Sequence, residues 1–196
     1  MSSNRRMTVD RKDIIKRRRE LPVDVRMKLS DMITDRVISI PEYADADVVL
    51  IYADYNGEAG TDKLICRALL DGKKVYAPVS NPDLTLDFYR VFAVEEMEPG
   101  AFGIREPLRI DYLKLKDEDI TDRCVCITPG SVFDRSCSRM GYGRGYYDRF
   151  FAAHKIGNRI GLAYEMQIAD SVDVSETDIP MTAVVTEDNV YRAKKD

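Results

Sequence analysis

Histidine is nearly absent from this chain, with one in 196 residues, at position 154. Tryptophan is missing, and cysteine occurs only four times, at 66, 124, 126 and 137. Each scarcity excludes a chemistry. A zinc centre of imidazole and thiolate needs paired ligands at short spacing, and one histidine with these four thiols does not supply them. The thiols read as free and buried, with Cys124 and Cys126 on one face of a strand-like run, because alternate strand residues share a face. His154 falls on a predicted helix and reads as structural. Long apolar runs are also lacking. A run such as Val48–Ala53 is far shorter than the about 20 residues of a membrane span. The N-terminus carries no apolar segment of the signal-peptide kind. A cytoplasmic location and no membrane contact are expected.

What is present suits a soluble globular domain: 44% hydrophobic and 33% charged residues, in a length that allows a full core. One domain over 1–196 is expected. The net charge of −4 hides an asymmetry. Residues 1–20 hold eight basic side chains against three acidic ones, leaving about −9 for the rest. The basic segment is either a solvated amphipathic helix or an anion site. An acidic remainder argues against a broad nucleic-acid surface.

Helices are predicted over 9–20, 23–39, 61–70 and 145–154. Pro22 stands near a helix start, and Asp71-Gly72 at a helix stop. Strands are predicted over 48–53, 73–78, 85–91, 123–128, 159–163 and 183–186. Strands alternating with helices predict an α/β fold: a single three-layer α/β/α domain, Rossmann-like, with a mostly parallel or mixed sheet. The connectors 54–60, 93–107 and 130–144 are long, as functional loops often are. Lys114, Lys116, Asp117, Glu118 and Asp119 read as a solvated charge run, and Phe150 and Phe151 as packing.

The stretch GYGRGYYD, residues 141–148, holds three of the chain's 11 glycines. Glycine lets backbone amides approach a ligand and permits positive φ. Such a turn feeding a helix N-terminus gathers free N–H groups and partial positive charge, which suits phosphate. Arg139 and Arg144 add cationic donors, and Asp148 is a candidate ligand for magnesium. The GxGxxG and GxxxxGK[ST] patterns both fail here. A tight turn under close packing is the alternative reading. Adjacent helix positions point apart, so at most one of Tyr146 and Tyr147 is expected to line a site.

The longer stretch 128–149, TPGSVFDRSCSRMGYGRGYYDR, resembles the signature of the 5-formyltetrahydrofolate cyclo-ligases, also called methenyltetrahydrofolate synthetases. Gly103-Ile-Arg-Glu-Pro107, Glu58 to Thr61, Ala183–Glu187 and the basic first helix are similar to further segments of that family, in matching order. The resemblance implies a ligase that uses ATP and magnesium to convert 5-formyltetrahydrofolate to 5,10-methenyltetrahydrofolate, releasing ADP and phosphate. It implies nucleotide binding by Arg11 and by residues 139–147, that is Arg139, Met140, Gly141, Tyr142, Gly143, Arg144, Gly145, Tyr146 and Tyr147. It implies folate contacts from Ala53 and Glu58, and from Tyr142 to Tyr146 again. Asp148 and Asp178 are the implied magnesium ligands. A monomer is expected, with a dimer as the alternative, and no nucleic-acid partner.

Four departures accompany the resemblance. Cys137 stands where the family has glycine, Gly60 and Thr182 where acids are common, and Met7 at a lysine position that Arg5 or Arg6 would have to serve. Gly60 leaves room for a paralogue acting on another formylated substrate. A non-enzymatic module binding RNA or another anion through the basic helix is the third reading.

Overall fold

The computed structural model describes residues 10–194. Asp10 opens the first helix, α1 (Arg11–Glu20), its side chain accepting from Lys12 N, as an N-cap carboxylate does. Pro22 precedes α2 (Val23–Ile38), where a missing N–H costs nothing. A short α3 (Pro41–Ala44) leads into β1 (Val48–Ile51). Then come α4 (Asp62–Leu70), β2 (Lys74–Ser80), β3 (Leu86–Arg90) and the two-residue pair β4 (Glu98–Pro99) and β5 (Arg105–Glu106). β6 (Cys124–Thr128) is followed by the hairpin β7 (Val132–Asp134) and β8 (Arg139–Met140), and by α5 (Tyr146–Ala153). β9 (Asn158–Leu162), β10 (Ile168–Ala169), β11 (Ala183–Val185) and β12 (Val190–Arg192) complete the order.

Seven strands form the main sheet in the order β12-β11-β9-β6-β1-β2-β3. The five inner strands are parallel, and β3 and β12 run antiparallel at the edges. The sheet is therefore mixed, and helices cover both faces. β6 shows why. Val125 and Ile127 point into one cluster with Ile33, Val37, Leu64 and Ile65 of α2 and α4. Cys124 and Cys126 point into the other, with Phe150 and Phe151 of α5. A strand buried on both faces is apolar throughout rather than alternating, as CVCIT is. The three-layer α/β expectation holds.

A second, small sheet, β10-β7-β8, carries α1. Ile14 of α1 packs there on Val132, Ala169 and Val172. None of its strands is expected from the sequence, because two or three residues cannot display a period. The loop 130–144 is thus largely a hairpin, and 93–107 holds another. Two further corrections follow from contacts. Cys66 is exposed on α4, while Cys124, Cys126 and Cys137 are buried. The charge run is partly cross-linked: Lys114 pairs with Asp87 (2.9 Å), Asp119 with Lys74 (2.9 Å) and Asp117 with His154 (3.2 Å). His154 also packs against Phe150 with the rings tilted, 4.7 Å between centroids.

Candidate functional site

β1 connects to β2 through α4 on one face, whereas β6 connects to β9 through α5 on the other. The chain therefore leaves the adjacent strands β1 and β6 in opposite directions. In open α/β sheets such a switch point opens a crevice at the carboxyl ends of the strands. A cleft of about 590 Å³ lies there, lined by Tyr52 and Ala53 after β1, Pro78 and Ser80 at the end of β2, and Pro129 after β6. Every candidate residue drawn from the sequence borders it: Arg11, Ala53, Glu58, the whole run 139–148 and Asp178. The loop around Phe102 to Glu106 closes one side.

The hairpin that delivers the glycine loop is anchored by Phe133 and Asp134. The Phe133 ring lies in a slot where only glycine fits: a Cβ on Gly161 would stand 2.5 Å from its Cε1. Asp134 accepts from Ser136 N (2.9 Å), Ser138 N (3.0 Å) and Val172 N (2.9 Å), tying the hairpin turn to the chain after β10. Cys137 sits in that turn at φ 68°, the left-handed region that a glycine favours. The departure from glycine thus leaves the expected backbone shape intact. Downstream, Gly143 (φ 88°) and Gly145 (φ 64°) let the loop reverse immediately before α5.

Charge gathers at one end of the cleft. The Arg139 guanidinium, its side chain 5% exposed, bonds both Asp148 oxygens (3.0 and 2.9 Å). Asp148 also accepts from Ile179 N (3.2 Å), which brings Asp178 alongside. Arg11 donates to Gly141 O (3.3 Å), and Arg144 lies over the Phe102 ring, 4.9 Å to the centroid. Tyr146 is half-buried and reaches Asn81 O (3.4 Å). Tyr147 is buried in the core against Phe151, and its hydroxyl has no hydrogen-bond partner among the described residues. Both tyrosines border the cleft, but Tyr146 alone presents a half-exposed ring to it.

The other end is aromatic and carries Glu58, buried to 8% exposure. Its Oε1 accepts from the Tyr142 hydroxyl (2.7 Å) and its Oε2 from Tyr55 N (3.0 Å). Burial pushes the carboxyl up to about 7, against the pull of the Tyr142 hydrogen bond and the Arg18 charge. The loop carrying Glu58 is itself held: the Tyr164 hydroxyl donates to Glu58 O (3.0 Å) and Gly60 N donates to Ser30 Oγ (2.8 Å). Gly60, where an acid was a candidate, thus makes a backbone contact. Thr182 exchanges hydrogen bonds with the Arg159 backbone (both 2.9 Å). Met7, Arg5 and Arg6 lie outside the described residues.

Sequence reasoning missed Arg18, Glu106 and Asp173. Asp173 adds a carboxylate to the lining. Glu106 accepts from Ser80 N (3.1 Å) and sits in the quoted GIREP segment, which was the available signal. Arg18 stands two turns beyond Arg11 and one beyond Ile14. Helical spacing therefore placed it on the inward face, but its charge argued for solvent.

Among the described residues, no group of three or more His, Cys, Asp or Glu side chains is placed to hold a metal, and no helix is long and apolar enough to cross a membrane. A model of the 5-formyltetrahydrofolate cyclo-ligase family matches residues 3–187. The Escherichia coli 5-formyltetrahydrofolate cyclo-ligase is 31% identical over 182 residues, 91% of this chain and 98% of that one. The Saccharomyces cerevisiae protein of the same name is 28% identical over 86% of this chain and 89% of its own. The NMR structure of Aquifex aeolicus 5,10-methenyltetrahydrofolate synthetase superposes with a TM-score of 0.80 at 31% identity, covering 95% of this chain and 92% of that one. A Mycoplasma pneumoniae 5,10-methenyltetrahydrofolate synthetase, 18% identical, shares the fold at a TM-score of 0.69, covering 90% of this chain and 96% of its own.

Proposed function

For a chain that belongs to the 5-formyltetrahydrofolate cyclo-ligase family, we propose the conversion of 5-formyltetrahydrofolate to 5,10-methenyltetrahydrofolate, driven by ATP with release of ADP and phosphate. The observation that carries this reading is the two-ended cleft: an arginine–aspartate end suited to phosphates, and an aromatic end holding a buried carboxylate.

The chemistry sets the requirement. The formyl oxygen must leave, and oxide is a poor leaving group. Its attack on the γ-phosphorus of ATP forms an O–P bond, breaks the bond to the β-phosphate oxygen and releases ADP. The neighbouring anilino nitrogen then adds to the activated formyl carbon, phosphate departs with the C–O bonding pair, and loss of the nitrogen's proton leaves the methenyl bridge. No covalent nucleophile of the protein is needed. The protein's part is positioning and charge neutralisation, as in phosphoryl transfer generally.

In this reading Arg11, Arg139 and Arg144, with the N–H groups of the glycine loop, take the nucleotide phosphates. Glu58 accepts from the N–H edge of the pterin, beside Ala53 and Tyr142. Tyr146 covers the junction between the two substrates. Magnesium uses one or two carboxylates and completes its sphere with phosphate oxygens and water, so two aspartates are a sufficient donor set. Asp178 shares a wall with Asp148 and, among the described residues, commits only Oδ2, to Ser175 N (2.7 Å), whereas Asp148 would have to share its oxygens between the ion and Arg139. When bound, the ion would neutralise charge between the phosphates. The whole of 1–196 is taken as one domain.

The test is absorbance of the methenyl product on mixing the protein with 5-formyltetrahydrofolate, ATP and magnesium. An ATP-dependent signal that Asp148→Ala abolishes supports the reading. ATP binding without product would point to another formylated substrate, and absence of both would sink it.

A further inference from the structure

Arg18 belongs to none of the roles above, yet it is fully buried, at 0% exposure, on α1. Its Nη1 donates to Gly130 O (3.2 Å). Its Nη2 donates to Asn56 O (3.2 Å) and to the Tyr142 hydroxyl (2.6 Å). One guanidinium therefore touches the loop after β1, the loop after β6 and the glycine loop. Burying a cation is costly unless it is paired, and among the described residues no carboxylate lies within ion-pairing distance of Arg18. The anionic group that answers it, Glu58, is reached through Tyr142.

The hydroxyl in the middle explains the order of the chain. A phenol has one proton to give. When its oxygen accepts from Arg18, that proton is free for Glu58 Oε1, at 2.7 Å. Arg18 thus decides which way the Tyr142 hydroxyl faces. Tyr142 is otherwise half in solvent, 44% exposed, and stands between two glycines.

We propose that Arg18 is a positioning residue: through the Tyr142 hydroxyl it holds the glycine loop over the cleft and presents the Glu58 carboxylate as a hydrogen-bond acceptor toward the folate. The proposal rests on the folate reading of Glu58 given above. Glu58 also faces Asp54 and Tyr52 just after β1, Tyr147 of α5, and the Tyr164 hydroxyl on its own carbonyl. These groups stay constant among the variants that follow.

The test uses Arg18→Met, Arg18→Lys, Tyr142→Phe and the Arg18→Met/Tyr142→Phe double variant. Two readouts are taken: the pH profile of kcat/KM for 5-formyltetrahydrofolate, and titration of Glu58 by carbon-13 NMR in the ligand-free protein. Arg18→Met is expected to raise KM for the folate at least tenfold at pH 7 and to move the Glu58 titration upward by half a pH unit or more. Tyr142→Phe moves it in the same direction, and the double variant is no worse than Arg18→Met within twofold. Arg18→Lys keeps the charge and holds the titration near wild type, while KM rises because one ammonium cannot span three loops. Should Arg18→Met fail to fold, Tyr142→Phe and Arg18→Lys carry the test. Unshifted titrations with a uniform fall in kcat would overturn the proposal, as would effects that multiply in the double variant. A wild-type protein that forms no methenyl product sinks the folate reading instead, and the NMR titration still decides whether Arg18 acts on Glu58.

Discussion

Glu58 and Asp148 occupy one cleft but are stabilised in opposite ways. Burial raises the Glu58 carboxyl to about 7, above its unfolded value near 4.5. A raised folded-state value means that protonation favours the fold. The Glu58 contribution to stability is present in full below about 4.5 and is lost as pH rises through about 7. Across that window the difference is about 3 kcal/mol. Urea unfolding of the ligand-free protein at pH 5.5 and 8 is expected to show this slope relative to Glu58→Gln, in which it vanishes. The same variant loses the anionic acceptor, so its folate KM rises by one to two orders of magnitude. Asp148 instead answers a buried guanidinium. Removing one partner leaves an uncompensated charge, costing about 3 kcal/mol. Asp148→Ala and Arg139→Ala are each expected to lower the urea midpoint, and the double variant by less than the two together. Additive losses would show that the pair is not coupled.

The elements that matter most at the site are the smallest. The β7–β8 hairpin places Arg139 at one end of the cleft and hands the chain to the glycine loop, and its seat is the slot for Phe133 against Gly161. Gly161→Ala puts a methyl group into that ring and is expected to cost roughly 2 kcal/mol by overpacking. Phe133→Leu in the same background should recover part of the loss. If Phe133→Leu adds to it, the clash is elsewhere. Long elements were legible in advance because helices and fully apolar strands repeat their signal. The boundaries of α2, α4, β3 and β6 fall within a residue or two of expectation. The hairpins were not legible, since three residues carry no period and the Asp134 contacts that stabilise the turn include one 38 residues away. Motif order within 128–149 marked the region, but not its β structure.

At the scale of the whole molecule, one sheet separates two apolar clusters and belongs to both. Losing the sheet exposes both together, so thermal unfolding is expected as a single calorimetric transition. Two resolved transitions would argue against one domain over 1–196. A ligand that binds only the folded state adds RT ln(1 + [L]/Kd), about 2.7 kcal/mol at a hundredfold excess over Kd. Magnesium ATP is therefore expected to raise the melting temperature. Chelation of the metal should remove most of that shift and the turnover with it; an unchanged shift would remove Asp148 and Asp178 from the metal reading.

Sequence by itself determined the alternation of strands and helices, the apolar sheet centre, the glycine loop before α5 and the family signature. All of these are written in neighbouring residues, where periodicity and spacing act. Only the tertiary structure decided that Arg18 faces inward, that Tyr142 links it to Glu58, and that Asp148 is paired with Arg139. Arg18 and Tyr142 stand 124 positions apart, and Tyr142 and Glu58 stand 84 apart. Whether a charged side chain is solvated or buried depends on what the folded chain brings against it, which helical spacing from Ile14 alone does not decide.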